Sequence, residues 1–165
     1  MQILLIGVGN EFRQDDGVGL LIVRSLRSRL PPQLASITTI EASGEGAALM
    51  EAWQGFDRVY LFDAVASGAA AGTIHRIAAH QTTVPTAFFH YSTHAFSVAE
   101  AVELARSLQQ LPPELILWGI EGKDFAMGIG LSTEVEPAIE AIIQAMLTEL
   151  NSLHLEQSNQ ESNHA

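Results

Sequence analysis

The sequence predicts an α/β fold: a three-layer α/β/α sandwich around a mixed, mostly parallel five-stranded sheet with helices on both faces. Three observations carry this reading. Apolar, β-prone runs recur at residues 3–8, 36–41, 58–63, 73–77 and 115–120, each five or six residues long and so too short for helices. Most are separated by amphipathic stretches of helical period, the alternation of a parallel sheet with crossover helices. Acidic residues fall just past the runs, at Asp16, Glu41, Asp63 and Glu121. Parallel strands bring such ends to one sheet edge, where open α/β sheets bind ligands.

Taken in order, the first strand ends in Gly7-Val-Gly9, which turns without Cβ clashes. A helix over 17–30 keeps Val18, Leu21, Ile22 and Leu26 on one stripe and is stopped by Pro31-Pro32. The second strand is β-branched at Ile37, Thr38, Thr39 and Ile40. A glycine turn around Glu45 then leads to a short helix over 47–53. The third strand is apolar on both faces until Asp63, as a buried central strand must be. The segment 68–72 is too short for a crossover helix, so 73–77 is expected to return as a hairpin antiparallel to the third strand. After an irregular stretch over 79–91, a helix runs to about 111, with Ser97-x-x-Glu100 as a capping box and Pro112-Pro113 as its stop. The fifth strand, a glycine-bearing loop over 121–131 and a last helix over 132–150 complete the domain. Pro137 falls in the first turn of that helix, where its missing donor costs little. Beyond 151 the chain is polar and loses periodicity, so residues 1–150 are expected as one domain and 151–165 as a loose tail.

Composition excludes several functions. A net charge of −11 with a single lysine, Lys123, opposes binding to nucleic acid or an anionic membrane. The absence of cysteine removes disulfides, thiolate metal sites and a cysteine nucleophile. The longest apolar N-terminal run is the first strand itself, too short for a membrane segment, and a cytoplasmic location is expected. Gly7-x-Gly9 begins a dinucleotide fingerprint, but Phe12 replaces its third glycine. Asp15 and Asp16 before the helix would repel the pyrophosphate that such a helix start attracts. This turn suits a cation.

Among the acids, Asp15 and Asp16 precede a helix, so one is expected as its cap and one as a functional group; the residues alone leave open which. Asp63 ends a doubly apolar strand, where a carboxylate must be ligated or desolvated. His94 precedes a helix whose start lies on the same edge, and His90 ranks behind it because its segment looks non-helical. His75 and His80 read as surface residues. Two carboxylates and an imidazole would make an open metal site, or would do acid–base work without metal. No G-x-S-x-G elbow is present.

The blocks Gly7-Val-Gly-Asn-Glu-Phe-Arg-Gln-Asp-Asp-Gly-Val-Gly19, Glu41-Ala-Ser-Gly-Glu-Gly46, Phe62-Asp-Ala64, Ser92-Thr-His94, Gly119-Ile-Glu121 and Gly128-Ile-Gly-Leu-Ser132 follow one another over about 150 residues. Together they resemble the hydrogenase maturation proteases, which trim the large subunit of nickel–iron hydrogenases. The resemblance implies the three-layer fold and removal of a C-terminal extension from the hydrogenase large-subunit precursor after nickel insertion. It also implies Asp16, Asp63 and His94 as the catalytic and nickel-contacting residues. Glu41 stands where many members carry aspartate. Nickel is expected to arrive bound to the precursor, and the enzyme is expected to be a monomer. Competing readings are a metal-dependent hydrolase of a small molecule and a non-enzymatic nickel- or anion-binding module.

Overall fold

The computed structural model describes residues 1–89 and 96–163. Its strands are β1 (Ile3–Val8), β2 (Thr38–Ala42), β3 (Arg58–Val65), β4 (Ile74–Ala78) and β5 (Glu114–Glu121), in the order β2-β1-β3-β5-β4. The four strands from β2 to β5 in that order are parallel, and β4 is antiparallel on the edge. The sheet is thus mixed and mostly parallel, as the sequence predicts.

Helices α1 (Val18–Arg29), α2 (Gly46–Ala52), α3 (Val98–Ser107) and α4 (Glu136–Asn163) cover both faces. Side-chain alternation along the strands divides the core in two. Leu5, Tyr60 and Phe62 pack with Ile22, Leu26, Ile142 and Met146 of α1 and α4. Leu4, Ile6, Leu61 and Leu117 pack with Leu49, Val102 and Ala105 of α2 and α3. Every residue of β1 is buried, because both faces of a central parallel strand are roofed by helices.

Two expectations need correction. β4 does not pair with β3; β5 lies between them and takes the antiparallel partner. β3 is buried along nearly its whole length and bonds β1 on one side and β5 on the other. The half-exposed β4, with Ile74 and Arg76 on its open face, has the character of an edge strand and goes to the edge. Nor does helix end at 150: α4 continues to Asn163. Residues 151–163 contain no glycine or proline, and a helix already nucleated propagates at little cost. The Ser152, Ser158 and Ser162 hydroxyls donate to carbonyls one turn back, and Leu153 packs against the core. The missing apolar stripe marks a helix leaving the domain surface. Among the described residues no helix is long and apolar enough to cross a membrane.

The capping box forms: the Glu100 carboxylate accepts from the Ser97 amide and hydroxyl. α1 ends at Arg29, just before the proline pair. Strand order reverses between β1 and β3, since β2 lies to one side of β1 while β3 and β5 lie to the other. That switch point opens a crevice at the carboxyl ends of β1 and β3.

Cutting the chain after Glu156 removes only polar residues of α4 and is expected to leave the unfolding midpoint within about 1 °C. Cutting after Asn151 also removes Leu153. Its part-burial is worth on the order of 1 kcal/mol, or about 2–4 °C for a domain of this size. Thermal unfolding of both truncations, monitored by circular dichroism, checks the difference.

Candidate active site

The switch-point crevice is a cleft of about 530 Å³ lined by Asn10, Phe12, Asp16, Asp63, Phe89 and Phe125 among others. The turn after β1 builds one wall. Gly9 (φ +144°) donates to the Ala42 carbonyl at 3.0 Å, and a Cβ there would lie 1.8 Å from the Asp16 carbonyl oxygen. Only glycine lets the loop fold back this tightly. Gly19 does the same for α1: a Cβ would stand 2.2 Å from the Phe62 oxygen and 2.5 Å from that of Val8. The helix start is thereby pressed onto the ends of β1 and β3.

Within the loop, Asn10 Oδ1 accepts from the Phe12 amide at 3.0 Å, and the Asn10 amide donates to Asp16 Oδ2 at 3.0 Å. These bonds hold Asp16, half-buried, at the cleft. Asp63 follows on β3, opposite Gly119 of β5, and is only 6% exposed. Burial pushes its carboxyl well above the usual carboxylate range, and the negative charge of Asp16 pushes it the same way. One hydrogen bond from the Ala64 amide opposes the shift without cancelling it. Two carboxylates thus face one cleft in mutual repulsion, which a bound cation would relieve.

The structure separates the aspartate pair that the sequence left open. Neither caps α1: the residue at its N-terminal cap is Gly17, and no side chain bonds there. Asp15 is fully buried and accepts four hydrogen bonds, from the amides of Lys123 (2.7 Å), Asp124 (2.9 Å) and Ser132 (2.7 Å) and from the Ser132 hydroxyl (2.8 Å). Burial raises its pKa, but the donors from Asp124, Ser132 and Lys123 outweigh this and hold it below the ordinary value. Asp15 is the structural anchor and Asp16 the cleft residue. Nothing local announces the anchor, because its donors lie 108 to 117 positions away.

The remaining candidates fall as follows. His94 and His90 lie outside the described residues; Phe88 and Phe89 before them and Ser97 and Val98 after them line the cleft. Glu41 reaches the cleft but is paired, its carboxylate accepting from Arg24 Nε (3.1 Å) and Nη2 (2.8 Å). Glu121 shares the sheet edge yet does not line the cleft. It is buried and accepts from the Ser67 amide and hydroxyl, with His75 Nε2 at 3.2 Å. His75 and His80 are half-buried and bonded, the latter accepting from the Leu115 amide at 3.1 Å, so neither is the free surface residue expected. Among the described residues no three ligand-type side chains converge to hold a metal ion; Asp16 and Asp63 supply two.

Two predictions follow from these environments. Asp15→Ala orphans three amides and a hydroxyl and is expected to cost about 3 kcal/mol or more, roughly 6–12 °C in melting temperature. Asp16→Ala loses a surface-loop bond and is expected to cost at most about 1 kcal/mol. Calorimetry of the two variants compares them directly.

Asp63 contributes the opposite sign of pH dependence. Because its folded pKa is raised, the folded state loses stability as pH climbs from the unfolded carboxylate value, about 3.9, through the raised one. Asp63→Asn removes that loss. Its melting temperature is expected to exceed the parent's at pH 8, with the gain vanishing near pH 4. A variant less stable at pH 8 would make Asp63 a structural acceptor.

The chain is similar to known proteins along nearly its whole length. Residues 20–149 match the family model described as hydrogenase maturation protease. The hydrogenase 2 maturation protease of Escherichia coli K12 is 28% identical over 167 residues, covering 99% of both chains. The solved structure of the hydrogenase maturating endopeptidase HybD from E. coli superposes with a TM-score of 0.74 at 26% identity, over 92% of this chain and 93% of that one. A solution structure of an endopeptidase from E. coli superposes with a TM-score of 0.77 at 28% identity, over the same shares. The chain is therefore a hydrolase, and it belongs to the hydrogenase maturation protease family.

Proposed function

We propose that this endopeptidase removes the C-terminal extension of a nickel–iron hydrogenase large-subunit precursor, and that it does so after nickel insertion by recognising the metal in its substrate. The observation that carries the reading is the facing pair Asp16 and Asp63, one half-buried and one almost fully buried, repelling each other at the floor of an open cleft. Such a pair is best satisfied by a cation that arrives with the ligand. With no cysteine in the chain and only oxygen donors among the described cleft residues, the enzyme's own hold on a borderline ion is weak. A nickel ion already held by the precursor's cysteines needs only the remaining positions filled.

In this reading Asp16, Asp63 and His94 complete the coordination of the incoming ion and thereby dock the adjacent peptide bond in the cleft. Gly9, Gly19 and the Asn10 amide fix Asp16 against β3, so its carboxylate is placed before substrate arrives. The ion's charge offsets the repulsion between Asp16 and Asp63 and favours the ionised form of both. Water then adds to the scissile carbonyl carbon, the C–N bond breaks, and the departing amine takes up a proton. The ion thus serves as a tag that licenses cleavage only in loaded precursor. In this reading the endopeptidase acts as a cytoplasmic monomer on a newly loaded subunit.

Chelator-treated enzyme is expected to shorten nickel-loaded precursor, read as a loss of C-terminal mass, and to leave nickel-free precursor intact. Equal rates on both would refute nickel recognition, and no cleavage of either would refute the processing reading. Asp63→Asn and His94→Ala are expected to lower the rate by at least about a hundredfold, the usual scale for a group that acts on the reacting centre.

A further inference from the structure

The protein exposes three large apolar side chains on two bridged loops, one of which lines the cleft: Phe12 (56%), Met127 (77%) and Ile129 (83%). Single exposed apolar residues are ordinary, but these three are joined. Arg13 and Gly128 form a parallel bridge in which the Gly128 amide donates to the Phe12 carbonyl at 2.9 Å and the Gln14 amide donates to the Gly128 carbonyl at 3.1 Å. Phe12 is therefore laid beside Met127, and Ile129 follows on the same strip. One residue further, the Asp15 carboxylate clamps both loops through its four buried bonds. The strip is stiff, so binding to it orders little on the enzyme side.

We propose that Phe12, Met127 and Ile129 form the docking strip for an extended apolar segment of the polypeptide substrate. Its place beside the cleft selects this occupant. The strip is continuous with the cleft, because Phe12 and the neighbouring Phe125 also line the cleft wall beside Asp16. A chain entering the cleft for cleavage must cross it. The charge beside the strip is mixed: Asp124 is exposed next to it, but Glu11 is paired with Arg24 and Arg13 lies in the bridge itself, so the apolar surface selects the occupant. The proposal deepens the processing reading and rests on it.

The test uses the double variant Met127→Ser/Ile129→Ser and nickel-loaded precursor. Both side chains bury almost nothing, so the melting temperature is expected to stay within about 1 °C of the parent. KM for the precursor is expected to rise at least tenfold while kcat falls less than threefold. Binding is measured separately on Asp63→Asn enzyme with and without the double substitution, and the Kd is expected to weaken by the same factor. Unchanged KM and Kd would overturn the proposal. If the parent binds precursor but does not cleave it, the processing reading fails, and the docking strip is judged on Kd alone. If the parent does not bind at all, both fail. Sedimentation of the parent covers the remaining occupant: a concentration-dependent dimer abolished by the double variant would assign the strip to a second copy of this chain and overturn the proposal.

Discussion

The site depends on one buried carboxylate. Asp15 takes four hydrogen bonds, three from backbone amides of the β5–α4 connection, and so ties that connection to the first loop of the chain. A buried charge of this kind is tolerated only when its acceptor capacity is filled by good donors, and three amides and a hydroxyl nearly fill it. The bond network has a directional effect. With Asp15 turned inward and held, the next residue in the 3-10 turn Gln14–Gly17 presents Asp16 toward the cleft. Two adjacent, chemically identical residues thus take different places, one buried among four donors and one at the cleft.

Asp63 is in a different position. It is buried as deeply as an apolar residue, receives a single backbone hydrogen bond among the described residues and has a carboxylate neighbour of like charge. Other acids on the same sheet edge have partners: Glu41 a bidentate Arg24, Glu121 the Ser67 amide and hydroxyl and His75 Nε2. The contrast is informative because all three end strands on the same sheet edge. A fold that partners two such carboxylates internally and sets the third beside Asp16 carries a repulsion that lowers its stability at neutral pH.

Substrate handling and chemistry share one scaffold. The loop anchored by Asp15 carries Asp16 on its cleft side and, through the Arg13–Gly128 bridge, Phe12 and Met127 on its outer side. Movement of the 121–132 connection would displace both. A single bonded element therefore joins the exposed apolar residues to the cleft aspartate.

Much of this was legible in the chain. Strand and helix identities followed from periodicity, since an apolar run of six with glycine after it has few alternatives. The cleft's position followed from parallel connectivity, which brings Asp16 and Asp63 to one edge whatever the packing details. The polar end of α4 misled because helix period is read from apolar residues, whereas a helix leaving the surface needs only the absence of breakers. β4 misled because short connections usually join neighbours, and only competition for the two edges of β3 sends it past β5. By itself the sequence determined the fold class, the switch-point cleft and the candidate acids, all consequences of local patterning and chain direction. Only the tertiary structure decided which aspartate is the buried anchor and which lines the cleft, that Glu41 and Glu121 are internally paired, and that a backbone bridge lays Phe12 beside Met127. Those assignments depend on hydrogen bonds and exposures between residues up to 117 positions apart, and no local pattern encodes them.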